Sequence, residues 1–502
     1  MIKFVKLDET FIKIVCEKST LEEISDKFKF VQKNYQYTPQ GKRGWDGVIK
    51  LINTKNGNFL SGLLKEVILK FKELGYHQFS FEGFEKSTSE YTENGILEAL
   101  DAFKLPDGVE IYEHQLNAIL TSLLGQRRLI VSPTSSGKSL IIYSIIRILI
   151  ESGKKILLIT PTTMLVDQLL KDFQDYEVND DFGIEDYSHK VYAGLNKTSE
   201  KPLIISTWQS IDSVPKDKLS EFLSEYDAVL TDECHLAQAK SLRNILEKSV
   251  NAKIKVGFTG TLIDTPTHYY VLIGLFGTPK KVISIKELMD TGKIARLTIK
   301  CIVLQYPEDV RKQVHKFVDR NKNIRPMEYD EELEFIINYE NRNKFIANLA
   351  DKLEGNTLTI IRFIEKHANV LKDYYDAKNN KKTFLITGDV KHDEKTLIKE
   401  NMEFETNANL MGSWGLVSTG MSIINLHNGI FASPSASEIR VLQAIGRLLR
   451  KGKNKTSATQ YDIIDDLTYE GRYNYMMRHF QQRLNYYRRE GFDVQIIKVN
   501  MQ

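Results

Sequence analysis

The chain has 502 residues, a formal net charge of +3 and a hydrophobic content of 42%. This length suits about three domains, the composition is ordinary for a globular protein, and the low net charge excludes a global polycation. The three cysteines, Cys16, Cys234 and Cys301, lie far apart without metal-ligand spacing, so neither a disulfide scaffold nor a zinc site is expected. The N-terminus lacks an apolar signal core and no apolar run is long enough for a bilayer, so we expect a cytoplasmic protein.

Residues 1–95 are predicted to form a small mixed α/β accessory domain. Alternating apolar residues at 12–15 and 48–52 predict strands. The segment Gly41-Lys42-Arg43-Gly44-Trp45-Asp46-Gly47 predicts a turn, because glycines punctuate it. Two interpretations stay open for this segment: a tight turn with a core tryptophan, or a nucleic-acid contact in which Trp45 stacks on a base.

Residues 96–295 are predicted to form a first domain built on a parallel sheet. Short runs rich in Ile, Leu and Val alternate with helical segments, as expected for strands buried on both faces and joined by crossover helices. The runs are residues 129–131, 155–160, 203–206, 227–231 and 255–258.

A second α/β domain is predicted at 351–467, after a connector or insertion at 296–350 and before a C-terminal helical extension at 468–502. The same pattern of strands and helices returns there without a second phosphate loop. Its candidate strands are residues 357–363, 383–387, 409–411, 429–432 and 460–464. The connector begins with a strand-like run at 297–304 and continues as a charged stretch at 307–334.

The segment Ser132-Pro133-Thr134-Ser135-Ser136-Gly137-Lys138-Ser139 lies between a predicted strand and a predicted helix, the setting of a phosphate-binding loop. Backbone N–H groups and a helix N-terminus attract phosphate oxygens. We expect Lys138 to reach the β- and γ-phosphates of ATP and Ser139 to ligate Mg²⁺. Ser132 replaces the glycine that commonly opens this pattern, which is a mild departure because a small residue still allows the turn.

An acidic pair follows the apolar run 228–231, in the segment Asp232-Glu233-Cys234-His235. Asp232 can reach Mg²⁺, and Glu233 can polarise the attacking water. Alone, such a pair is more simply a pair of exposed acids, but together with the phosphate loop it predicts an ATP-hydrolysis centre. Cys234 is predicted to pack, and His235 to link the ATP site to the substrate site.

The segment Gln443-Ala444-Ile445-Gly446-Arg447-Leu448-Leu449-Arg450 predicts a helix in the second domain. Arg447 and Arg450 are three positions apart and are expected on one face, where two guanidinium groups suit a γ-phosphate. The alternative is a solvated basic face, against which Gln443 and the close-packing Gly446 argue. Because these residues and Lys138 belong to different domains, we expect ATP binding to close a cleft and hydrolysis to open it.

In this order, the motifs resemble those of superfamily 2 helicases over residues 105–467. The resemblance implies an α/β protein with two tandem RecA-like parallel-sheet domains, a small N-terminal α+β domain and a C-terminal helical extension. It also implies a DNA helicase that uses ATP and Mg²⁺.

The whole chain, with Gly44-Trp45-Asp46-Gly47 near its start, resembles a phage recombination helicase of this superfamily. That resemblance implies 3′→5′ remodelling of Holliday junctions, forks and R-loops in recombination, replication and repair, together with strand annealing. It implies a monomer in the infected bacterium whose partners are branched DNA, single-stranded DNA, RNA–DNA hybrids, and recombination or single-strand-binding proteins.

The resemblance also implies roles for individual positions, although residues 413–419 depart from the commoner pattern. ATP binding falls to Gln115, which reads adenine, and to Pro133, Thr134, Ser135, Ser136, Gly137, Lys138, Ser139 and Gly420. Coupling of hydrolysis to movement falls to His235, Thr259, Thr261 and Gln443. Nucleic-acid contact falls to Pro161, Thr162, Thr163, Thr207, Trp208, Arg362, Thr387, Gly388 and Ser418.

Two further questions stay open from the residues alone. The stretch 472–498 interleaves basic residues with Tyr473, Tyr475, Tyr486 and Tyr487, which suits either DNA contact or packing on the second domain. The motifs do not separate a DNA helicase from an RNA helicase or a double-stranded DNA translocase. A protein that uses ATP only to switch annealing is disfavoured by Glu233, because a switch needs no water-positioning group.

Overall fold

The structure is a computed structural model. It describes the chain from residue 1 to residue 501 except residues 33–34, 85–89, 193–198, 263–264, 320, 389, 391, 416–422, 434 and 453–454. The chain divides into two compact units: the first comprises Met1–Ser132 and Gly137–Val282, and the second comprises Pro133–Ser136 and Ile283–Gln502.

The first unit begins with a four-stranded mixed sheet of order β5-β2-β1-β6, in which only β1 and β6 run parallel. A separate hairpin pairs β3 with β4. The elements of this N-terminal domain are β1 (Ile2–Lys6), β2 (Phe11–Val15), α1 (Lys18–Lys27), β3 (Lys29–Val31), β4 (Val48–Lys50), β5 (Asn58–Leu60), α2 (Leu64–Glu73) and β6 (Phe79–Glu82).

The rest of the first unit is built on a seven-stranded parallel sheet of order β13-β7-β12-β11-β8-β10-β9. The five predicted strands are all present. The elements are α3 (Glu93–Asp101), α4 (Glu113–Gly125), β7 (Arg127–Val131), α5 (Lys138–Glu151), β8 (Ile156–Thr160), α6 (Thr163–Tyr176), α7 (Ile184–Tyr187), β9 (Ser188–Val191), β10 (Leu203–Thr207), α8 (Trp208–Asp212), α9 (Lys216–Ser224), β11 (Ala228–Thr231), α10 (Lys240–Lys248), β12 (Ile254–Thr259), α11 (Pro266–Phe276) and β13 (Pro279–Lys281).

The N-terminal domain and the first parallel sheet share one hydrophobic core. The ring of Tyr270 on α11 stacks on Phe30, with centroids 5.4 Å apart. Lys255 on β12 is 1% exposed, and its Nζ donates to Thr10 Oγ1 at 2.5 Å. A Cβ added to Gly62 would lie 2.1 Å from the carbonyl oxygen of Ile273, so the two parts meet at backbone distance.

The second unit contains a second seven-stranded parallel sheet, of order β18-β19-β17-β20-β21-β14-β22. The two parallel sheets confirm the predicted fold class. The elements are α12 (Ile285–Asp290), β14 (Arg296–Gln305), α13 (Glu308–His315), β15 (Phe317–Val318), β16 (Ile324–Arg325), α14 (Tyr329–Asn338), α15 (Glu340–Lys352), β17 (Thr357–Ile361), α16 (Asn369–Asp376), β18 (Thr383–Ile386), α17 (His392–Phe404), β19 (Asn409–Ser413), β20 (Asn428–Phe431), α18 (Glu438–Leu448), β21 (Ser457–Asp466), α19 (Tyr475–Arg489) and β22 (Asp493–Asn500).

Two strands of the second sheet come from segments that were predicted to be a connector and a helical extension. β14 lies inside the predicted connector but pairs with β21 over its full length. β22 follows helix α19 in the predicted helical extension and pairs with β14. The second sheet therefore extends beyond residues 351–467, because parallel pairing brings together strands that are remote in the sequence.

Helix α19 is fixed to the second sheet by buried charge. Arg483 donates from Nε and Nη2 to the two carboxylate oxygens of Asp462 at 2.8 and 3.0 Å, and both side chains are almost fully buried. The hydroxyl of Tyr487, also buried, donates to the same carboxylate. For Tyr487, the packing interpretation of the C-terminal tyrosines is the one the structure shows, whereas Tyr473 is 49% exposed.

Within the described residues, no helix is both long and apolar enough to cross a membrane.

Candidate ATP site and nucleic-acid edge

The predicted phosphate loop connects β7 to α5. Ser135 and Gly137 have φ angles of 66° and 80°, so the loop turns twice through the left-handed region that glycine favours. Ser136 Oγ donates to the carbonyl oxygen of Pro133 at 2.6 Å, which tightens the turn. A Cβ at Gly137 would lie 2.1 Å from Gln115 Nε2, so this position requires glycine for space as well.

Gln115, the residue predicted to read adenine, lies beside this loop. Its Oε1 accepts from the N–H of Tyr112 at 2.8 Å, and its Nε2 donates to the carbonyl oxygen of Gly137 at 3.5 Å. The first contact closes the N-terminus of α4, so the amide is oriented by its own helix.

The acidic pair meets the loop lysine at the carboxyl edge of the first sheet. β11 ends at Thr231, and β12 separates it from β7. Lys138 Nζ lies 3.1 Å from Glu233 Oε1 and 3.8 Å from Asp232 Oδ1. The structure thus brings together the three first-domain residues among the five predicted for hydrolysis, although their motifs are remote in sequence.

The charges in this cluster depend on one another. Burial alone would lower the pKa of Lys138, but the carboxylates of Glu233 and Asp232 outweigh burial and raise that pKa. Burial opposes ionisation of Glu233 as well, yet Lys138 and His235 hold its pKa well below the usual range. Burial raises the pKa of Asp232, which lies farther from the ammonium. Glu233 is therefore the firmly ionised carboxylate.

The backbone of Glu233 is in the left-handed region, with φ 48° and ψ 45°. For a residue with a Cβ, this conformation costs on the order of 1–2 kcal/mol. Its N–H donates to Asp232 Oδ1 at 2.9 Å, and its side chain is held by Lys138, which offsets the cost. The strained turn directs consecutive carboxylates toward one ammonium.

A hydrogen-bonded chain leads from Glu233 to the end of β12. His235 Nδ1 lies 3.2 Å from Glu233 Oε2 and 3.1 Å from Thr259 Oγ1. Thr259 Oγ1 donates to the carbonyl oxygen of Thr261 at 2.9 Å. The residues predicted to couple hydrolysis to movement in the first domain, His235, Thr259 and Thr261, are thus in direct contact.

Two residues beside the site were missed by the sequence analysis. The hydroxyl of Tyr176, the last residue of α6, lies 2.7 Å from Ser139 Oγ. His268 on α11 is buried, and burial with the neighbouring His235 lowers its pKa to about 4. Neither Tyr176 nor His268 lies in a local sequence motif. Only the packing of α6 and α11 shows that these side chains lie beside the site.

The residues predicted to contact nucleic acid in the first domain lie at adjacent strand ends. β8 and β10 are parallel neighbours, and Pro161 follows the first while Thr207 ends the second. Gln209 Nε2 donates to the carbonyl oxygen of Pro161 at 3.4 Å, which joins the two loops. The hydroxyls of Thr162 and Thr207 cap α6 and α8. The next residue in each helix differs in burial: Thr163 is exposed and Trp208 is half-buried.

The predicted contacts in the second domain are only partly described. Arg362, after β17, is exposed, bonds to the hydroxyl of Tyr329 and lies over its ring at 5.2 Å. Thr387 and Gly388 follow β18, and the carbonyl oxygen of Gly388 accepts from Lys395. Ser418 and Gly420 lie outside the described residues.

The arginine segment forms helix α18, with one difference from the prediction. Gln443 and Arg447 lie on the helix and are partly buried, while Val441, Ile445 and their neighbours face the core. The helix ends at Leu448, with the backbone of Leu449 still in the right-handed helical region, so Arg450 lies just beyond the helix that holds Arg447.

The donor set of the site fits a magnesium ion. Ser139 supplies a hydroxyl oxygen, Asp232 supplies a carboxylate oxygen, and Mg²⁺ prefers oxygen ligands of which substrate phosphates provide several. In the part of the chain that the structure describes, no group of three or more His, Cys, Asp or Glu side chains is arranged to hold a metal ion by protein ligands alone.

Comparisons with known proteins agree with this geometry. A family model for the N-terminal domain of DNA helicase UvsW matches residues 1–82, and one for the res subunit of type III restriction enzymes matches residues 108–264. The chain is 31% identical over 521 residues to the ATP-dependent DNA helicase uvsW of Enterobacteria phage T4, with 98% of each chain covered. The chain belongs to the UvsW family of DNA helicases.

This UvsW-family chain is therefore an ATP-dependent DNA helicase, as predicted. The crystal structure of T4 UvsW aligns with all of this chain and is itself wholly covered, at 29% identity and a TM-score of 0.50. The S. cerevisiae Dbp5 structure, bound to RNA and ADP BeF3, is 14% identical with a TM-score of 0.54; it covers 86% of this chain and is 95% covered. That second likeness is one of fold alone.

Proposed function

We propose that this helicase remodels branched DNA, namely Holliday junctions, forks and R-loops, in phage recombination, replication and repair. It moves 3′→5′ and also anneals strands, and it works as a monomer in the cytoplasm of the infected bacterium with recombination or single-strand-binding proteins as partners. The full-length likeness to T4 UvsW, which includes the N-terminal domain, supports DNA as the substrate.

The main support for the proposed engine, meaning the coupling of ATP hydrolysis to movement, is a continuous path of contacts. This path runs from Lys138 through Glu233, His235 and Thr259 to Thr261. In the proposal, bound ATP draws Lys138 from the carboxylates to the β- and γ-phosphates. Glu233, released from that ion pair, orients the attacking water as an ionised base.

The electrostatics favour this exchange. An ammonium balanced by two buried carboxylates can accept phosphate charge without being newly desolvated, because it is already out of water. Ser139 and Asp232 would hold Mg²⁺, which neutralises phosphate charge when bound. Residues 133–137 and Gln115 position the nucleotide: residues 134–137 donate from their backbone N–H groups, Pro133 shapes the loop, and Gln115 uses its side-chain amide.

The second domain completes the proposed engine. Arg447 and Arg450 supply charge for the γ-phosphate, Gly420 contributes to nucleotide binding, and Gln443 contributes to coupling. This part rests on the order of the motifs. Arg447 lies on α18 and Arg450 follows the end of that helix. Substituting each arginine alone would therefore separate the contribution of one from that of the other.

Nucleic acid is proposed to follow the carboxyl edge at the ends of β8 and β10. Thr162 and Thr207 cap helices there, so the helix N-termini offer N–H groups to phosphates. Such contacts do not depend on base identity, and a helicase that moves along any sequence needs contacts of this kind. In the second domain, Arg362, Thr387, Gly388 and Ser418 are proposed to bind the same strand.

The N-terminal domain offers an additional surface. Lys42 and Arg43 are exposed on a short helical turn, and Trp45 is half-buried against the ring of Tyr35, with centroids 6.3 Å apart. Cations beside an aromatic ring suit an unpaired strand or a junction arm. We propose that this loop contacts the branch.

One experiment tests the proposal. Unwinding of a Holliday junction, a fork and an R-loop is followed together with ATP hydrolysis, and partial duplexes with 3′ or 5′ tails give the polarity. We expect branched substrates to be preferred and only the 3′-tailed duplex to be opened. The Lys138→Ala variant is the control, and it should neither hydrolyse ATP nor unwind.

The other outcomes separate the alternatives. If RNA stimulated ATP hydrolysis as strongly as DNA, the result would indicate an RNA helicase. If a blunt DNA duplex stimulated hydrolysis without strand separation, the result would indicate a double-stranded DNA translocase. Annealing with no measurable turnover would indicate an ATP-switched annealing protein. Each of these results would contradict the proposed branched-DNA motor.

A further inference from the structure

The hydroxyl of Ser139 has a protein partner that the motif assignments leave unexplained. Tyr176 ends helix α6, and its hydroxyl lies 2.7 Å from Ser139 Oγ at the start of α5. Both side chains are half-buried. The contact joins the candidate metal ligand to a helix outside the phosphate loop.

Packing explains the ring of Tyr176 but not its hydroxyl. The ring lies beside that of Tyr143, with centroids 5.6 Å apart, and a phenylalanine would make the same contact. The neighbouring Tyr143 directs its own hydroxyl elsewhere, since Arg147 Nη1 donates to it at 3.3 Å. The two tyrosines therefore share a packing environment and differ in what their hydroxyls bind.

A serine hydroxyl that ligates a cation uses oxygen lone pairs and must direct its proton elsewhere. It has one proton and two lone pairs. If the proton points to another acceptor, the lone pairs face the cation; if it points into the site, it opposes the cation. The phenolic oxygen of Tyr176 stands at hydrogen-bond distance to take this proton.

We propose that Tyr176 is a positioning residue for the metal ligand: it accepts the proton of Ser139 and turns the lone pairs of Ser139 Oγ toward Mg²⁺. This inference rests on the proposed role of Ser139 in binding Mg²⁺ with ATP. No bond is broken or formed apart from the hydrogen bond, and Tyr176 itself touches neither the nucleotide nor the metal.

The test compares Tyr176→Phe with Tyr143→Phe in the full-length protein. Each variant loses one phenolic hydroxyl and keeps its ring. Affinity for a fluorescent ADP analogue is measured by titration at a series of Mg²⁺ concentrations, and thermal unfolding without nucleotide reports on folding. We expect Tyr176→Phe to raise the half-saturating Mg²⁺ concentration roughly threefold to tenfold, because the variant loses one hydrogen bond. Tyr143→Phe should leave it unchanged.

A double-mutant cycle separates positioning from packing. In a Ser139→Ala background, Tyr176→Phe should produce no further change in the Mg²⁺ requirement, because its partner is already absent. An equal additional change in that background would show that Tyr176 acts by packing and would overturn the inference. So would an unchanged Mg²⁺ requirement in the Tyr176→Phe single variant.

The same data keep this inference distinct from the proposed function. If Ser139→Ala alone leaves the Mg²⁺ requirement unchanged, the metal assignment itself fails. If Ser139→Ala raises it and Tyr176→Phe does not, only the positioning role fails.

Discussion

Replacing Thr259 by valine removes one hydroxyl from the chain of contacts beside Glu233 and keeps the shape of the side chain. Thr259 is fully buried at the end of β12. Its Oγ1 contacts His235 Nδ1 at 3.1 Å and donates to the carbonyl oxygen of Thr261 at 2.9 Å. Valine therefore interrupts the path between the hydrolysis centre and the loop after β12.

The size of the effect follows from these contacts. Thr259 Oγ1 also accepts from the N–H of Thr261 at 3.3 Å, so valine loses three hydrogen bonds. Each hydrogen bond contributes about 1 kcal/mol net, so the substitution should lower the free energy of unfolding by about 3 kcal/mol. Because Lys138, Asp232 and Glu233 keep their contacts, ATP hydrolysis should stay within a few-fold of wild type. Strand separation per ATP should fall roughly tenfold, equivalent to about 1.4 kcal/mol of lost coupling.

The matched control is Thr231→Val, at the end of neighbouring β11. Thr231 is also fully buried, and among the described residues its Oγ1 finds no hydrogen-bond partner. Removing it should leave stability unchanged or slightly higher, since no bond is lost. Urea unfolding gives stability, and a fork substrate gives unwinding and hydrolysis together. If Thr259→Val separated as much DNA per ATP hydrolysed as wild type does, the proposed coupling through Thr259 would be refuted.

Four other predictions address separate parts of the molecule. Lys138→Ala should lower ATP hydrolysis by at least about 100-fold in a steady-state assay, since the ammonium serves the transferred phosphate. Arg483→Ala should lower the free energy of unfolding in urea by about 3–5 kcal/mol, because Asp462 stays buried and unpaired. Burial lowers the pKa of His268 to about 4, so the unfolded state binds its proton first as pH falls below about 6.5; wild type should lose roughly 2 kcal/mol more than His268→Asn between pH 7 and pH 5. Trp45→Ala should weaken fork binding in a fluorescence titration by about 1–2 kcal/mol without changing hydrolysis in the absence of DNA.

The sequence predicted the first sheet and the ATP site well because their signals are local. The run 228–231 ends in its acidic pair, and the phosphate loop lies between a strand and a helix, so each motif contains its own structural context. The strand-like run at 297–304 corresponds to β14, but the run was assigned to a connector because its partner β21 is remote in the sequence and no local pattern reveals that pairing. The end of α18 before Arg450 depends on packing of its last turn. The contact of Tyr176 with Ser139 depends on how α6 lies on α5.

The shared core of the N-terminal domain and the first parallel sheet limits how the N-terminal domain can be studied. Removing residues 1–82 would uncover Tyr270 and Ile273 on α11 and take away Thr10, the hydroxyl partner of the buried Lys255 Nζ. Such a truncated protein should expose an apolar patch and aggregate, so its loss of activity would say nothing about DNA. Substitutions confined to the exposed Lys42, Arg43 and Trp45 loop leave that patch covered.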